Sequence, residues 1–374
     1  RILLSIRDRY PMIRDMARNL SRERSAAGSV AGPVAAPRVH LNAFRGLPDV
    51  LAGFNVPSEP ILRTANLTRQ DLEDSERSAP FPEIDRLIGL CVRRTKCAHF
   101  GLLVGQHANL QSFGIAGRLA RNAPSVGAAL QDLAAHFVLH DSGGVPSVTI
   151  HGDTATLTYG IHTAGVRNAD QVYDQSAVSM INVMRQLCGP GWKPDAILLP
   201  RKRPADIRPY REILGAPLRF DAVQSAIVFP AYWLARPVVD ADPLLHMVLE
   251  DRASVELSRH EPMLHADVRR TIRLLLLSRR CSRADVAKRL GIHPRTLGRR
   301  LQESGTTFQA LLDDMRAQMA KQLLLDTRLP VARIAAAVGY GDPTIFSRAF
   351  ARWTGRTPSE FRVSVVERSS AHGL

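Results

Sequence analysis

One segment of the sequence, residues 293–303, places hydrogen-bond donors along a single face of a predicted helix. At about 100° per residue, the donor side chains lie opposite or beside the apolar pair Leu297 and Leu301, which must face the protein interior. The donors are Arg295, Thr296, Arg299, Arg300 and Gln302. A DNA major groove admits an α-helix, in which arginine pairs with guanine and glutamine with adenine. The residue types therefore suit base reading, and the alternative is a helical hairpin with solvated arginines.

A shorter predicted helix precedes this face and forms a helix-turn-helix with it. Residues 282–290 begin with a serine cap and an acid in the first turn, and their apolar side chains share one face. Gly291 permits the turn, and Pro294 suits a first helical position.

The same pattern of apolar spacing and turn glycine recurs 48 residues further along the chain, where residues 330–339 repeat the first helix. Asp342 and Pro343 then begin a helix that extends to Thr354 and buries Phe346, Ala349, Phe350 and Trp353. The donors predicted on its outer face are Thr344, Arg348 and Arg352. Agreement of caps, turn glycine and apolar spacing in two strings makes a chance match improbable.

A helix predicted over residues 306–325 joins the two units. Twenty residues span about 30 Å, close to the roughly 34 Å of one duplex turn. We therefore expect the two reading helices to enter successive major grooves.

Charge supports a polyanionic partner, since the 374 residues carry a formal net charge of +15. Residues 262–362 contain 19 Lys and Arg against 8 Asp and Glu, a net charge of +11. The excess therefore lies with the two helix-turn-helix units.

Other classes of function find little support in the sequence. The four cysteines, Cys91, Cys97, Cys188 and Cys281, lack zinc-ligand spacing and are expected to be reduced, mostly buried thiols. No nucleotide-binding, hydrolase or metalloprotease motif occurs, so we expect no catalytic residue, no metal and no cofactor. The absence of an export signal and of a long apolar run predicts a cytoplasmic protein that does not enter a membrane.

The chain divides by composition into five parts. We predict a mobile arm over residues 1–37, an α+β domain over 38–243, a connecting helix over 244–261, an all-α domain over 262–362 and a tail over 363–374. Within the α+β domain, residues 145–151 and 154–161 should form a hairpin about Gly152 and Asp153, between helices over 125–138 and 168–187.

The all-α part resembles the AraC/XylS family of bacterial transcription regulators over about a hundred residues. The strings that carry the resemblance are Ala287-x-x-Leu-Gly291, Arg295-Thr-Leu-x-Arg-Arg-Leu301, Gly305-x-x-Phe308, Ile334-Ala, Val338-Gly339, Phe346-Ser-Arg-Ala-Phe350 and Thr354-Gly-Arg-Thr-Pro-Ser-Glu-Phe-Arg362. His293 stands where the family often has serine, so we expect a weaker cap there, and Gly341 stands where a polar residue is common.

The upstream part is similar to the sensor domain of the ornithine-utilisation and virulence-regulator branch of that family. The strings concerned are Phe113-Gly-Ile-Ala-Gly-Arg-Leu119, Ala123-Pro-Ser-Val-Gly-Ala-Ala-Leu130, Leu187-Cys-Gly-Pro-Gly-Trp192, Val228-Phe-Pro-Ala-Tyr-Trp-Leu234 and Ala241-Asp-Pro243. The resemblance implies a small-molecule effector and dimerisation. The predicted helices argue against a jelly-roll, so we do not predict arabinose as the effector.

The effector-binding residues stay unassigned at this stage. Histidines are frequent between His99 and His162, but scattered histidines are usually surface or satisfied core residues. Trp192 and Trp233 suit a ligand pocket, although buried aromatic residues are more often core.

The sequence thus predicts a sequence-specific DNA-binding transcription regulator under effector control. Its expected partners are double-stranded promoter DNA, RNA polymerase, a small molecule and a second copy of the chain. Two alternatives remain open: an enzyme or carrier domain tethered to DNA, and an architectural protein that binds phosphates without base preference. The sign of regulation, activation or repression, also remains open.

Overall fold

The computed structural model describes residues 36–74, 76–163, 165–259, 264–277 and 281–363. The described residues form two compact units, 264–316 in one and 36–259 together with 317–363 in the other. The predicted arm and tail lie outside the described residues, apart from positions 36, 37 and 363.

Helices predominate in the part before residue 260. They are α1 (Leu47–Gly53), α2 (Ser58–Arg63), α3 (Arg69–Glu73), α4 (Phe81–Thr95), α5 (Phe100–Gly105), α6 (Gly114–Arg121), α7 (Val126–His136), α8 (Ala169–Cys188), α9 (Arg208–Leu214) and α10 (Pro243–Arg259). The helices predicted over 125–138 and 168–187 are present as α7 and α8. Ser125 caps α7, because its hydroxyl oxygen accepts the Ala128 N–H at 3.2 Å.

Two sheets complete this α+β part. The strands are β1 (Arg38–His40), β2 (Ser78–Pro80), β3 (Gly144–His151), β4 (Thr154–Ile161), β5 (Ala196–Leu198), β6 (Leu218–Arg219) and β7 (Ser225–Pro230). Strands β1 and β2 pair alone, and the other sheet has the order β3-β4-β7-β5-β6. Its pairs are antiparallel except β5 with β6. The hairpin predicted about Gly152 and Asp153 is confirmed, with Gly144 opposite Ile161 and His151 opposite Thr154.

The core of this part lies around α8. Its Ala177, Ile181 and Met184 are almost completely buried, and the helix packs against α5 on one side and β7 on another. Burial of Ile181 and Met184 contributes on the order of 1.5–3 kcal/mol each. The predicted connecting helix is α10, which begins one residue earlier than expected. Its Leu249 and Ala253 pack onto Ile115 and Leu119 of α6.

The remainder of the described chain is helical. The helices are α11 (Leu264–Leu277), α12 (Arg283–Arg289), α13 (Pro294–Glu303), α14 (Phe308–Asp326), α15 (Val331–Ala337) and α16 (Pro343–Thr354), followed by a short helix over 358–363. The predicted fold class, an α+β domain followed by an all-α domain with two helix-turn-helix units and a joining helix, is confirmed.

Candidate nucleic-acid interface

The first helix-turn-helix comprises α12 and α13. Ser282 and Asp285 form a reciprocal cap: the Ser282 hydroxyl accepts the Asp285 N–H at 3.1 Å, and the Asp285 carboxylate accepts the Ser282 N–H at 3.2 Å. Val286 and Ala287 are buried against α13. The chain then turns at Gly291, whose φ of +69° suits glycine far better than other residues.

The predicted reading helix of this unit begins on a histidine cap. The Nδ1 atom of His293 accepts the Arg295 N–H at 3.2 Å. The imidazole therefore caps the helix at the position where the family often has serine. Leu297 and Leu301 are 0 % exposed, as the four-residue spacing predicts. These contacts fix which face of α13 meets solvent.

The predicted donors occupy that outer face. Arg295, Arg299 and Gln302 are exposed, whereas Thr296 and Arg300 are half-buried at its margins. The structure adds one neighbour that sequence reasoning missed, since the Arg299 guanidinium donates to the Glu303 carboxylate at 2.5 Å. The four-residue spacing of an arginine and a glutamate was the available signal. Both side chains remain over half exposed, at 63 % and 56 %.

The second helix-turn-helix comprises α15 and α16, and its turn glycine matches the first. Gly339 lies 48 residues after Gly291 and has a φ of +84°. Asp342 caps α16, because one carboxylate oxygen accepts the N–H groups of Thr344 at 2.6 Å and Ile345 at 3.3 Å. These two hydrogen bonds lower the pKa of Asp342, so the cap is charged at neutral pH.

Helix α16 has the two faces that its spacing predicts. Phe346, Ala349 and Phe350 are buried, and Trp353 is half-buried in edge contact with the Tyr340 ring. The predicted donors Thr344, Arg348 and Arg352 are all exposed. Each helix-turn-helix thus presents a capped helix with basic and polar side chains outward.

Most of the other residues singled out in the sequence are ordinary structural groups. Cys91 and Cys97 are buried, Cys188 and Cys281 half-buried, and all four are free thiols. Trp192 packs on Phe229 in the core, and Trp233 stacks on Tyr232. Within the described ranges, no group of three or more His, Cys, Asp or Glu side chains is placed to hold a metal ion. His140 and Trp192 are buried, and each has one ring nitrogen without a hydrogen-bond partner among the described residues.

Two family models match the chain. Residues 56–238 match a model described as the arabinose-binding domain of AraC transcription regulators, N-terminal, and residues 286–364 match a helix-turn-helix domain. The chain belongs to the AraC family of transcription regulators. It is therefore a DNA-binding transcription regulator with an arabinose-binding-like N-terminal domain.

Known relatives of this AraC-family chain align along most of its length. It is 25 % identical to the ornithine utilization regulator of Pseudomonas aeruginosa, over 84 % of this chain and 94 % of the relative. It is 24 % identical to the regulator VirS of Mycobacterium tuberculosis, over 85 % and 94 %. The crystal structure of the regulator CdpR from Pseudomonas aeruginosa is 24 % identical and aligns with a TM-score of 0.44, over 86 % of this chain and 98 % of that one.

Of the helices in the described part of the chain, none combines the length and apolar character needed to cross a bilayer.

Proposed function

We propose that this AraC-family regulator reads operator DNA with α13 and α16, and that a small molecule bound to its α+β domain controls the reading. The observation that carries the proposal is the outward row of donors on two capped helices, each held by a buried apolar face. The reading residues on α13 are Arg295, Thr296, Arg299, Arg300 and Gln302, and those on α16 are Thr344, Arg348 and Arg352. Neighbouring basic groups contact phosphates.

Two features favour base reading over phosphate binding alone. A protein that binds only phosphates needs charge but no shaped reading helix. Here each helix combines a cap, a buried seam and hydrogen-bonding side chains that can distinguish bases. The matched relatives are transcription regulators, which supports a regulatory role over a catalytic one.

Replacement of Arg299 by alanine tests the proposal. Arg299→Ala should cost about 1–3 kcal/mol at the specific site and relax base preference at one position, because a bidentate contact to a base is lost. The measurement is DNA affinity by fluorescence anisotropy against the operator, every single-base variant of it and random DNA, across a salt series. Arg211→Ala, which removes an exposed arginine from α9 of the α+β domain, is the matched control.

An equal loss of affinity on all sequences would show that Arg299 contacts phosphate only. A wild-type protein with the same affinity for operator and random DNA would contradict sequence-specific reading as a whole.

Two further partners, RNA polymerase and a second copy of the chain, are predicted from this regulatory role. A regulator that reads promoter DNA acts in the bacterial cytoplasm and contacts RNA polymerase, and its α+β domain is expected to form a homodimer. Light scattering coupled to gel filtration decides the oligomeric state, with a mass twice 41.2 kDa expected for a dimer.

A further inference from the structure

The α+β part contains a partly open cavity of about 110 Å³ that no predicted site residue lines. Side chains from separate elements form its wall, among them Leu133 of α7, Leu157 of β4 and Met180 of α8. Phe44 and Phe113 contribute aromatic rings. The wall is largely apolar, so water gains little by filling the space.

Most polar side chains in this wall are already bonded within the protein. The bonded groups are the carboxylates of Asp85 and Asp141, the amide nitrogen of Gln175, and the hydroxyls of Tyr159, Ser176 and Ser179. Asp141, for example, accepts the Gly144 N–H at 3.0 Å and the Tyr159 hydroxyl at 2.8 Å. The N–H and O–H donors among these groups are already used within the protein, so a ligand would have to compete with existing bonds to accept from them.

His140 differs from these bonded groups. Its side chain is buried, and its Nδ1 atom has no hydrogen-bond partner among the described residues. The rings of Phe113 and Phe137 meet the imidazole edge-on, with centroids at 4.8 and 5.6 Å. Burial lowers the pKa of His140 to about 3, so the imidazole is neutral at pH 7. A buried polar atom left unbonded costs about 1–3 kcal/mol, a cost that a ligand could remove.

We propose that this cavity binds a small, uncharged, mostly apolar molecule whose single hydroxyl or carbonyl group hydrogen-bonds to His140. The inference rests on the proposed function, because the molecule would be the effector of the regulator. A sugar fits poorly, since each of its hydroxyls needs a hydrogen-bond partner and most of the wall is apolar. A charged ligand also fits poorly, because no Lys or Arg lines the cavity in the described chain. The volume is of the order of the roughly 150 Å³ cavity that holds benzene in an engineered protein, which sets the size at one small ring or a short alkyl chain.

The test compares p-cresol with toluene, which differ by one hydroxyl, by calorimetric titration of the full chain. We expect saturable binding at one molecule per chain, with p-cresol bound more tightly than toluene. In His140→Phe the ring contacts persist and the unbonded nitrogen is gone, so the fold should be retained. The preference for p-cresol should shrink about three- to tenfold, the equivalent of one lost hydrogen bond. His151→Phe, at the exposed end of β3, is the matched control and should leave the preference unchanged.

A second variant tests the location independently of the hydrogen bond. Ala43 lines the cavity, and Ala43→Leu should fill part of it and weaken both probes at least tenfold, whereas Ala52→Leu on the exposed face of α1 should change neither. Absence of p-cresol binding to the wild type, an unchanged preference in His140→Phe, or tighter binding of arabinose than of p-cresol would each overturn the inference.

DNA affinity measured on the same samples without any probe separates this inference from the proposed function. Specific DNA binding together with no probe binding overturns the cavity site alone. Probe binding that follows His140 and Ala43 in a protein without base preference supports the cavity site and overturns the DNA-reading proposal.

Discussion

Glu303 stands one helical turn beyond Arg299 and holds its guanidinium on the surface of α13. An exposed ion pair of this kind contributes about 0–1 kcal/mol, so it favours one position of the Arg299 side chain but still lets the guanidinium move to another partner. DNA binding would replace the carboxylate by a base edge or phosphate and leave Glu303 beside a polyanion. The pair therefore opposes binding on any DNA sequence.

The charge of Glu303 can be removed with little change in shape. Glu303→Gln should raise affinity about two- to fivefold for operator and random DNA alike, because it removes a surface pair and a repulsive charge. Fluorescence anisotropy at two salt concentrations measures this, and the gain should be smaller at high salt. Glu212→Gln, on exposed α9, is the control. A loss of affinity confined to operator DNA would mean instead that Glu303 itself reads a base.

Caps and periodicity explain why the helical elements were predictable. Ser125, Ser282 and Asp342 each satisfy N–H groups within three residues, so the signal for a helix start lies in a short string. The signal for the hairpin of β3 and β4 is equally local, because it lies in two adjacent segments and the turn at Gly152 and Asp153. Strands β1 and β2 have three residues each and pair across about 40 positions, so no periodicity marks them.

The candidate functional residues also fall into a group that local sequence predicts and a group that it does not. The outward face of α13 follows from residue spacing, whereas the cavity joins His140 to Leu157 and Met180 from other elements. Whether a histidine nitrogen finds a partner depends on side-chain packing, which local patterns do not encode. The unbonded state of His140 was for this reason outside the reach of the sequence.

The cap of α16 yields a stability prediction. Asp342→Ala removes an acceptor of two N–H groups and should lower the free energy of unfolding by about 1 kcal/mol. Because Thr344 lies only two residues after Asp342, DNA affinity should also fall while base preference is kept. Denaturant unfolding gives the first quantity and anisotropy the second. Asp342→Asn, which retains a good cap, should stay close to the wild type, and an alanine variant as stable as the asparagine one would contradict the role of the cap.

The end of α14 yields a pH prediction. Burial and the negative charge of Asp170 raise the pKa of Asp326 to about 7, against an ordinary value of 3.8. Between these values the folded state binds the proton and the unfolded state does not, so stability should fall as pH rises from about 4 to 7. Asp174, whose pKa burial also raises to about 7, contributes in the same direction.

Thermal unfolding between pH 5 and 8 measures this dependence. Asp326→Asn should flatten part of the decrease, leaving the share of Asp174. Asp251→Asn, on the exposed face of α10, should follow the wild type. An Asp326→Asn profile parallel to the wild-type profile would show that Asp326 does not titrate in this range.

The proposed effector control needs energetic coupling between the α+β domain and a reading helix, which a direct contact can carry. One such contact lies within a single compact unit of the structure. Asp221 of the α+β part accepts the Arg328 N–H at 2.6 Å, two residues before Pro330 and the start of the second helix-turn-helix. Asp221 itself has a φ of +54°, a conformation that glycine adopts freely and that aspartate and asparagine adopt more readily than most other residues.

This geometry allows the hydrogen bond to be removed without straining the backbone. Asp221→Gly keeps the positive φ and loses the acceptor, whereas Asp221→Asn keeps both. An ordinary hydrogen bond contributes about 0.5–1.5 kcal/mol net, so hydrogen exchange at the Arg328 amide should become about two- to tenfold faster in the glycine variant and change little in the asparagine variant, which keeps an acceptor oxygen. DNA affinity without effector should stay within about twofold of the wild type, since the reading residues are untouched. Unchanged exchange at Arg328 in Asp221→Gly would mean that the sensing domain does not hold this segment, and that effector control takes another route.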